Sequence, residues 1–244
     1  MDFRVLRRRS VLVAAVLTLV PMTLRSSAAT PAIDRAATPA IGRSAALTPA
    51  DFDAASRGTI EAHVLDLALG AASCAVSSGT VAQPRTLTVI DYSLPSTEKR
   101  MWVFDLETRT LLYEELVAHG QGSGGNLATT FSNQHETHRT SLGLFATDVT
   151  YVGRNGYSLR LDGLDRGVND QARARAIVMH GAPYVSESFV RTTGRLGRSW
   201  GCPAIRTEIA HEVIDRIKGG SLVFAYYPDA DWLASSKYLR SCGA

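Results

Sequence analysis

The 244-residue chain is short of cysteine, of long apolar runs and of basic stretches beyond its first residues, and each shortage removes a class of explanation. Its cysteines are Cys74, Cys202 and Cys242. With the histidines they complete no zinc site of the usual spacing, and the odd count permits one disulfide and one free thiol. The main apolar run, near Val11–Val20, is about 12 residues, against the ~20 that a membrane span requires. No Cys follows it, so nothing marks a lipoprotein anchor. Gly120–Gly125 is glycine-dense but lacks the Lys-Ser/Thr ending of a phosphate loop, and there is no dinucleotide fingerprint. These gaps leave no nucleotide cofactor to expect.

What is present starts with the N-terminus. Arg4, Arg7, Arg8 and Arg9 precede the apolar run, and Ser27-Ala28-Ala29 follows it. This is the layout of a secretory signal over 1–29, which places the mature protein in the periplasm or outside the cell with no stable membrane span. An uncleaved anchor is the alternative, and Arg8-Arg9 gives a faint likeness to a twin-arginine signal. Removing 1–29 takes away five Arg and one Asp, so the formal charge falls from +3 to −1. No basic stripe remains, which argues against a nucleic-acid partner. The Ala/Pro/Thr/Ser-rich stretch 30–46 reads as a flexible linker.

From Leu47-Thr48-Pro49 an N-cap followed by Pro opens an amphipathic pattern through Ile60, Val64, Leu65 and Leu69. It predicts a helical segment over 47–80, with a helix to about Ser77 broken near Gly58 or Gly70. From Thr86 the texture becomes β-prone. Leu87–Tyr92, Met101–Leu106, Leu111–His119, Leu142–Tyr151, Tyr157–Leu161, Ala176–His180 and Ser221–Tyr227 are expected strands. Ile209, Val213, Ile214 and Ile217 predict a helix over Glu208–Lys218, stopped by Gly219-Gly220. The expected fold is mostly β, largely antiparallel, with a helix near each end of a domain over 81–244.

The stretch Ala176–Arg206 carries the chemistry. An apolar strand stops at His180-Gly181, and Ser199-Trp200-Gly201-Cys202-Pro203 follows, with Cys202 22 residues after His180. A Cys in a Gly/Pro-flanked turn ahead of a helix is expected to be exposed, with a thiol pKa lowered by a neighbouring imidazolium or by that helix's N-terminus. Cys202 as nucleophile and His180 as base follow. Amides of Trp200, Gly201 and Cys202 are candidate oxyanion donors, at ~3 kcal/mol each. Cys74 and Cys242 then remain, either as a pair or as two buried thiols. The glycine loop 120–125 is expected as a mobile loop beside the site. His119-Gly120 mimics His180-Gly181 but has no Cys turn after it. His135 and His138 raise a metal reading that their surroundings favour less than solvated loop histidines, and His63 and His211 fall on predicted helices.

These residues resemble the catalytic signature of the YkuD-type L,D-transpeptidases, and most nearly the branch called the murein L,D-transpeptidase catalytic domain family. IDYSLPSTEKRMWVFDL, LVAHGQGSGG, SLRLDGLDRGVNDQARARAIVMHGAPYVSE, GRLGRSWGCPAI and KGGSLVFAYYPD all share in the resemblance, over about Phe52–Asp229. Trp200 stands where His is common in the wider superfamily, and Pro203-Ala204 separates the Cys from Ile205-Arg206. The resemblance implies a β-rich YkuD-like catalytic fold that needs no metal or cofactor and acts as a monomer on peptidoglycan stem peptides. Cys202 attacks the carbonyl before the terminal D-Ala of a tetrapeptide stem, and His180 moves the proton. The thioester passes to a second stem as a 3→3 cross-link or, alternatively, to water or a D-amino acid. A wall protein that binds peptidoglycan without catalysis is a further alternative. Ser199 orients the loop or His180. Gly181 and Arg206 are assigned to substrate binding, with a salt bridge from Arg206 to Glu208 or Asp215 as the competing role.

Overall fold

Local chemistry at Thr48 sets the first turn of the described residues. Its backbone N–H and its hydroxyl both donate to Asp51 Oδ2, at 2.7 and 3.0 Å, around a 3-10 turn at Pro49–Asp51. The structure is a computed structural model that describes residues 47–240. The expected signal at 1–29 and linker at 30–46 lie outside the described residues.

The N-terminal helical segment is broken at Gly58, one of the two expected places, into α1 (Ala54–Arg57) and α2 (Ala62–Ser77). Gly58, at φ +66°, supplies the left-handed break, where an L side chain is strained and a Cβ would also meet Leu111 Cδ2 at 2.8 Å. Gly70 lies inside α2 and breaks nothing. The helix is alanine-rich, which favours it intrinsically, and Val64, Leu65, Ala68, Leu69, Ala72 and Ala75 form the buried stripe.

One eight-stranded sheet organises the rest. Its strands are β1 (Thr86–Asp91), β2 (Met101–Asp105), β3 (Thr110–Glu115), β4 (Gly143–Gly153), β5 (Gly156–Gly163), β6 (Val178–Gly181), β7 (Ala204–Ile205) and β8 (Leu222–Tyr226), in spatial order β3-β2-β1-β8-β4-β5-β6-β7. Pairings are antiparallel except β1 with β8 and β6 with β7. Every residue of β1 and β8 is buried, so both faces of the sheet centre are covered. The helix α4 (Thr207–Ile217) contributes Ala210, Val213, Ile214 and Ile217 to that core.

β3 ends at Glu115, short of the expected His119. The chain leaves the edge there, and Ala118 N–H donates to Ala204 O at 2.8 Å. That bridge sets the chain just beyond β3 against β7, the strand at the other end of the sheet order. Short helices α3 (Glu187–Thr193), α5 (Ala230–Ser235) and α6 (Lys237–Arg240) complete the described chain. None of the three was expected. Among the described residues, no helix is long and apolar enough to cross a membrane.

Candidate active site

His180 sits inside the sheet, paired with Ser158 of β5 on one side and Ala204 of β7 on the other. The residue is 4% exposed. Nδ1 donates to the carbonyl of Gly181 at 2.9 Å, and since a carbonyl only accepts, the neutral ring carries its proton there and leaves Nε2 as a base. Burial pushes the His180 pKa below 6.5, against the Gly181 carbonyl. Gly181 is glycine because α4 passes over it: a Cβ would meet Ala210 Cβ at 2.8 Å.

The register that pairs His180 with Ala204 sets Cys202 beside Val178, two residues further back on both strands. Val178 N–H accordingly points at Cys202 Sγ at 3.5 Å, and Sγ faces the carbonyl of Ala176 at 3.7 Å. Thiol and imidazole are neighbours along one strand pair but share no hydrogen bond. Ala176 holds φ +54°, a left-handed conformation that is uncommon for a non-glycine residue and that turns its carbonyl toward the sulfur.

Two expectations about Cys202 are corrected here. It is not exposed: only 8% of its surface reaches solvent, because the turn folds the side chain under the start of β6. Its pKa is raised above 9.0, not lowered, by burial, with the Val178 amide and the Arg175 charge pulling the other way. The first residue of α4 is Thr207, five positions on.

Ser199 staples the turn. Its hydroxyl donates to Cys202 O at 2.6 Å and accepts from Gly201 N–H at 3.1 Å. Gly201 has φ +113°, and a Cβ there would meet Arg139 O at 2.7 Å. Since the Gly201 amide is engaged by Ser199, the expected trio of oxyanion donors reduces to Trp200 and Cys202, whose amides have no acceptor among the described residues.

Two loops wall the turn. Gln121 N–H donates to Ser199 O at 2.8 Å, Ser199 N–H to His119 O at 3.0 Å, and Gly122 N–H to His138 O at 3.0 Å. Thr140 Oγ1 accepts from Gly120 N–H at 2.9 Å and donates to Gly201 O at 3.3 Å. The glycine loop is beside the site as expected, and these bonds tie it down. A Cβ at Gly120 would collide with His138 O and with Gly201 Cα. Trp200 is 65% exposed and stacks on His138 with centroids 4.7 Å apart. That stack, with an exposed His135, is what the two histidines form. No group of three His, Cys, Asp or Glu that could hold a metal occurs among the described residues.

Beneath the glycine loop His119 is fully buried, with Nδ1 accepting from Arg100 Nη2 at 2.8 Å. Its Nε2 faces the carbonyls of Gly124 and Gly125 without a well-formed hydrogen bond. Burial, then the Arg100 charge, pushes its pKa down to about 4. Arg100 itself is anchored by the carbonyls of Leu94 and Val117 and lies over the Tyr92 ring. Arg206 is bound bidentately by Glu115, at 2.6 and 2.9 Å, in place of Glu208 or Asp215.

With this arrangement in hand, comparison with known proteins is decisive at the level of the family. The family model for the L,D-transpeptidase catalytic domain matches residues 56–226, well over half the chain. The chain belongs to this family. The transpeptidase match spans the sheet from β1 to β8, with His180, Ser199, Gly201 and Cys202 inside it. No curated protein matches the chain. Among solved structures, an L,D-transpeptidase from Stackebrandtia nassauensis is 14% identical, with TM-score 0.38 over 67% of this chain and 68% of that one. One from Mycobacterium smegmatis is 14% identical, with TM-score 0.37 over 59% of each chain. One from Mycobacterium tuberculosis is 15% identical, with TM-score 0.36 over 59% of this chain and 58% of that one. The chain thus spans about three-fifths of the length of most of these transpeptidases, and similarity this low adds nothing on mechanism.

Four site residues of this transpeptidase domain were not singled out in the sequence. Thr140 links the two loops to the turn, and Glu115 holds Arg206. Tyr184 has Gly197 against its ring and a hydroxyl pKa pushed up to about 12 by burial and by the nearby thiol. Arg175 is one of two arginines in Gln171-Ala172-Arg173-Ala174-Arg175-Ala176, and nothing in that run marks which of them lies behind the cysteine turn.

Proposed function

We propose that the protein is an exported cysteine acyltransferase that acts on peptidoglycan stem peptides and forms 3→3 cross-links through a thioester on Cys202. The observation that carries this reading is the β6–β7 pairing, which puts a buried neutral His180 and a buried Cys202 on one strand pair beside two amides without acceptors.

The reaction starts from the neutral pair, since burial lowers the imidazole and raises the thiol. Rotation about the Cys202 Cα–Cβ bond takes Sγ from the Ala176 carbonyl toward Nε2 of His180, which accepts the proton as sulfur attacks the carbonyl before the terminal D-Ala. The amides of Trp200 and Cys202 receive the developing oxyanion, ~3 kcal/mol each. His180 then returns the proton to the departing amine of D-Ala, leaving the thioester. The side-chain amine of a second stem attacks that thioester and completes the cross-link. Ser199 fixes the turn, Gly181 lets α4 close over the base, and Arg206 acts as a strut to Glu115. The Trp200–His138 stack offers a flat exposed wall for the donor stem.

Product analysis tests the reading. Incubation with a disaccharide tetrapeptide should release D-Ala and yield a 3→3 dimer by mass spectrometry. D-Ala release with tripeptide as the only other product would replace transpeptidation with carboxypeptidase activity, and an inert stem would leave peptidoglycan binding.

A further inference from the structure

Arg175 is an unusual cation. It is half-buried, yet it forms no ion pair with any carboxylate of the described residues. Its fork is satisfied by neutral acceptors: Nη1 donates to Ser132 O at 2.6 Å and to Ser141 Oγ at 2.5 Å, and Nη2 to Arg139 O at 2.6 Å. All three belong to the 132–141 loop. The Arg139 carbonyl that receives Nη2 is the same oxygen that a Cβ on Gly201 would strike, so the guanidinium lies directly behind the turn that carries Cys202. From the other side, Arg175 is covalently next to Ala176, whose carbonyl faces the thiol. Among the titratable groups, Cys202 is the one whose ionised form Arg175 would favour.

A half-buried guanidinium without a carboxylate needs a reason, because even partial desolvation of a charge carries a cost unless something offsets it. We propose that Arg175 is a positioning residue of this site, a fixed positive charge that favours the Cys202 thiolate while its fork ties the 132–141 loop against the cysteine turn. The neighbouring loop carbonyls orient the cation and leave its charge uncompensated, so its field acts on the sulfur. Besides Arg175 and His180, the titratable groups facing the thiol are Tyr92 and Tyr184, both kept neutral by burial. No carboxylate competes. The inference rests on Cys202 being the nucleophile, but it concerns thiolate formation, which can be read without any substrate.

The test is the pH dependence of Cys202 alkylation by iodoacetamide, followed by intact mass, in wild type, Arg175→Gln, Arg175→Lys and Ser141→Ala. Glutamine keeps a hydrogen-bonding head and removes the charge. The alkylation midpoint of Arg175→Gln should move up by about one pH unit or more, the size expected for loss of one nearby opposite charge. Arg175→Lys should recover part of that shift, and Ser141→Ala, which loosens the fork but keeps the charge, should leave the midpoint unmoved even if melting falls. Should the glutamine variant not fold, Arg175→Met provides the second neutral side chain. A neutral variant that alkylates with the wild-type midpoint overturns the proposal, as does a Ser141→Ala midpoint that rises as far as that of Arg175→Gln. Turnover of tetrapeptide stems by Cys202→Ser would instead overturn the proposed function and leave the alkylation result standing.

Discussion

At the residue scale, burial holds two imidazoles neutral: His180 in β6, and His119 beside a buried guanidinium that would repel its proton. Its folded pKa of about 4 lies below the ordinary 6.5, so the unfolded chain binds that proton first as pH falls. The sign follows: the stability is fully present above pH 6.5 and is lost as pH drops toward 4, by roughly 3 kcal/mol for a shift of this size. His119→Asn, which keeps an acceptor for Arg100 and cannot titrate, should flatten the fall in melting temperature between pH 6.5 and 4; an unchanged slope would show that other groups set it. Gly201 makes the second prediction. With φ +113° and Arg139 O where a Cβ would go, Gly201→Ala should lower stability by about 1–3 kcal/mol and cut turnover at least a hundredfold. Calorimetry and steady-state kinetics check the two effects separately. The residue types at His180, Ser199, Gly201 and Cys202 were legible in the sequence because each is tied to a local motif. The burial of Cys202 was not, because it depends on the register of β6 against β7 and on a loop some sixty residues upstream.

At the scale of elements, strands were legible where β-branched and apolar residues ran unbroken, as in β1, β2 and β8. β7 was not, since two residues carry no period; it exists because Ala118 and His180 both supply partners for Ala204. The helix α3 had a signal in its Ser186 cap, which accepts from Phe189 N–H, and in Gly194 at φ +74°, but it is short and buries no residue fully. The ion pair from Glu115, at the end of β3, to Arg206, between β7 and α4, ties the cysteine loop to the opposite end of the sheet order. Glu115 is 8% exposed and the Arg206 side chain 34%, so loss of the carboxylate breaks a bidentate pair whose acid half is buried. Glu115→Gln should therefore lower the unfolding free energy by about 1–3 kcal/mol and leave KM for a stem peptide within about twofold. A large rise in KM without a change in melting would return Arg206 to substrate binding.

At the scale of the whole molecule, the chain just beyond β3 is bridged to β7 through Ala118–Ala204, and α2 is further held to the chain by Cys74, which is disulfide-bonded. Cys242, its expected partner, lies outside the described residues. Cys202 is the free thiol, as the odd count allows. Cys74→Ala should lower stability by about 2–5 kcal/mol and leave turnover at moderate temperature nearly unchanged, because α2 is remote from the cysteine turn. Equal melting of wild type and variant would show that the bridge adds nothing. The central claim is that Cys202 becomes acylated by the stem. The measurement that tests it most directly is intact-mass spectrometry of wild type and Cys202→Ala mixed with a tetrapeptide stem, with free D-Ala quantified in the same samples. The account predicts a tripeptidyl adduct and D-Ala release for wild type and neither for a folded Cys202→Ala. D-Ala release by Cys202→Ala at the wild-type rate would contradict it.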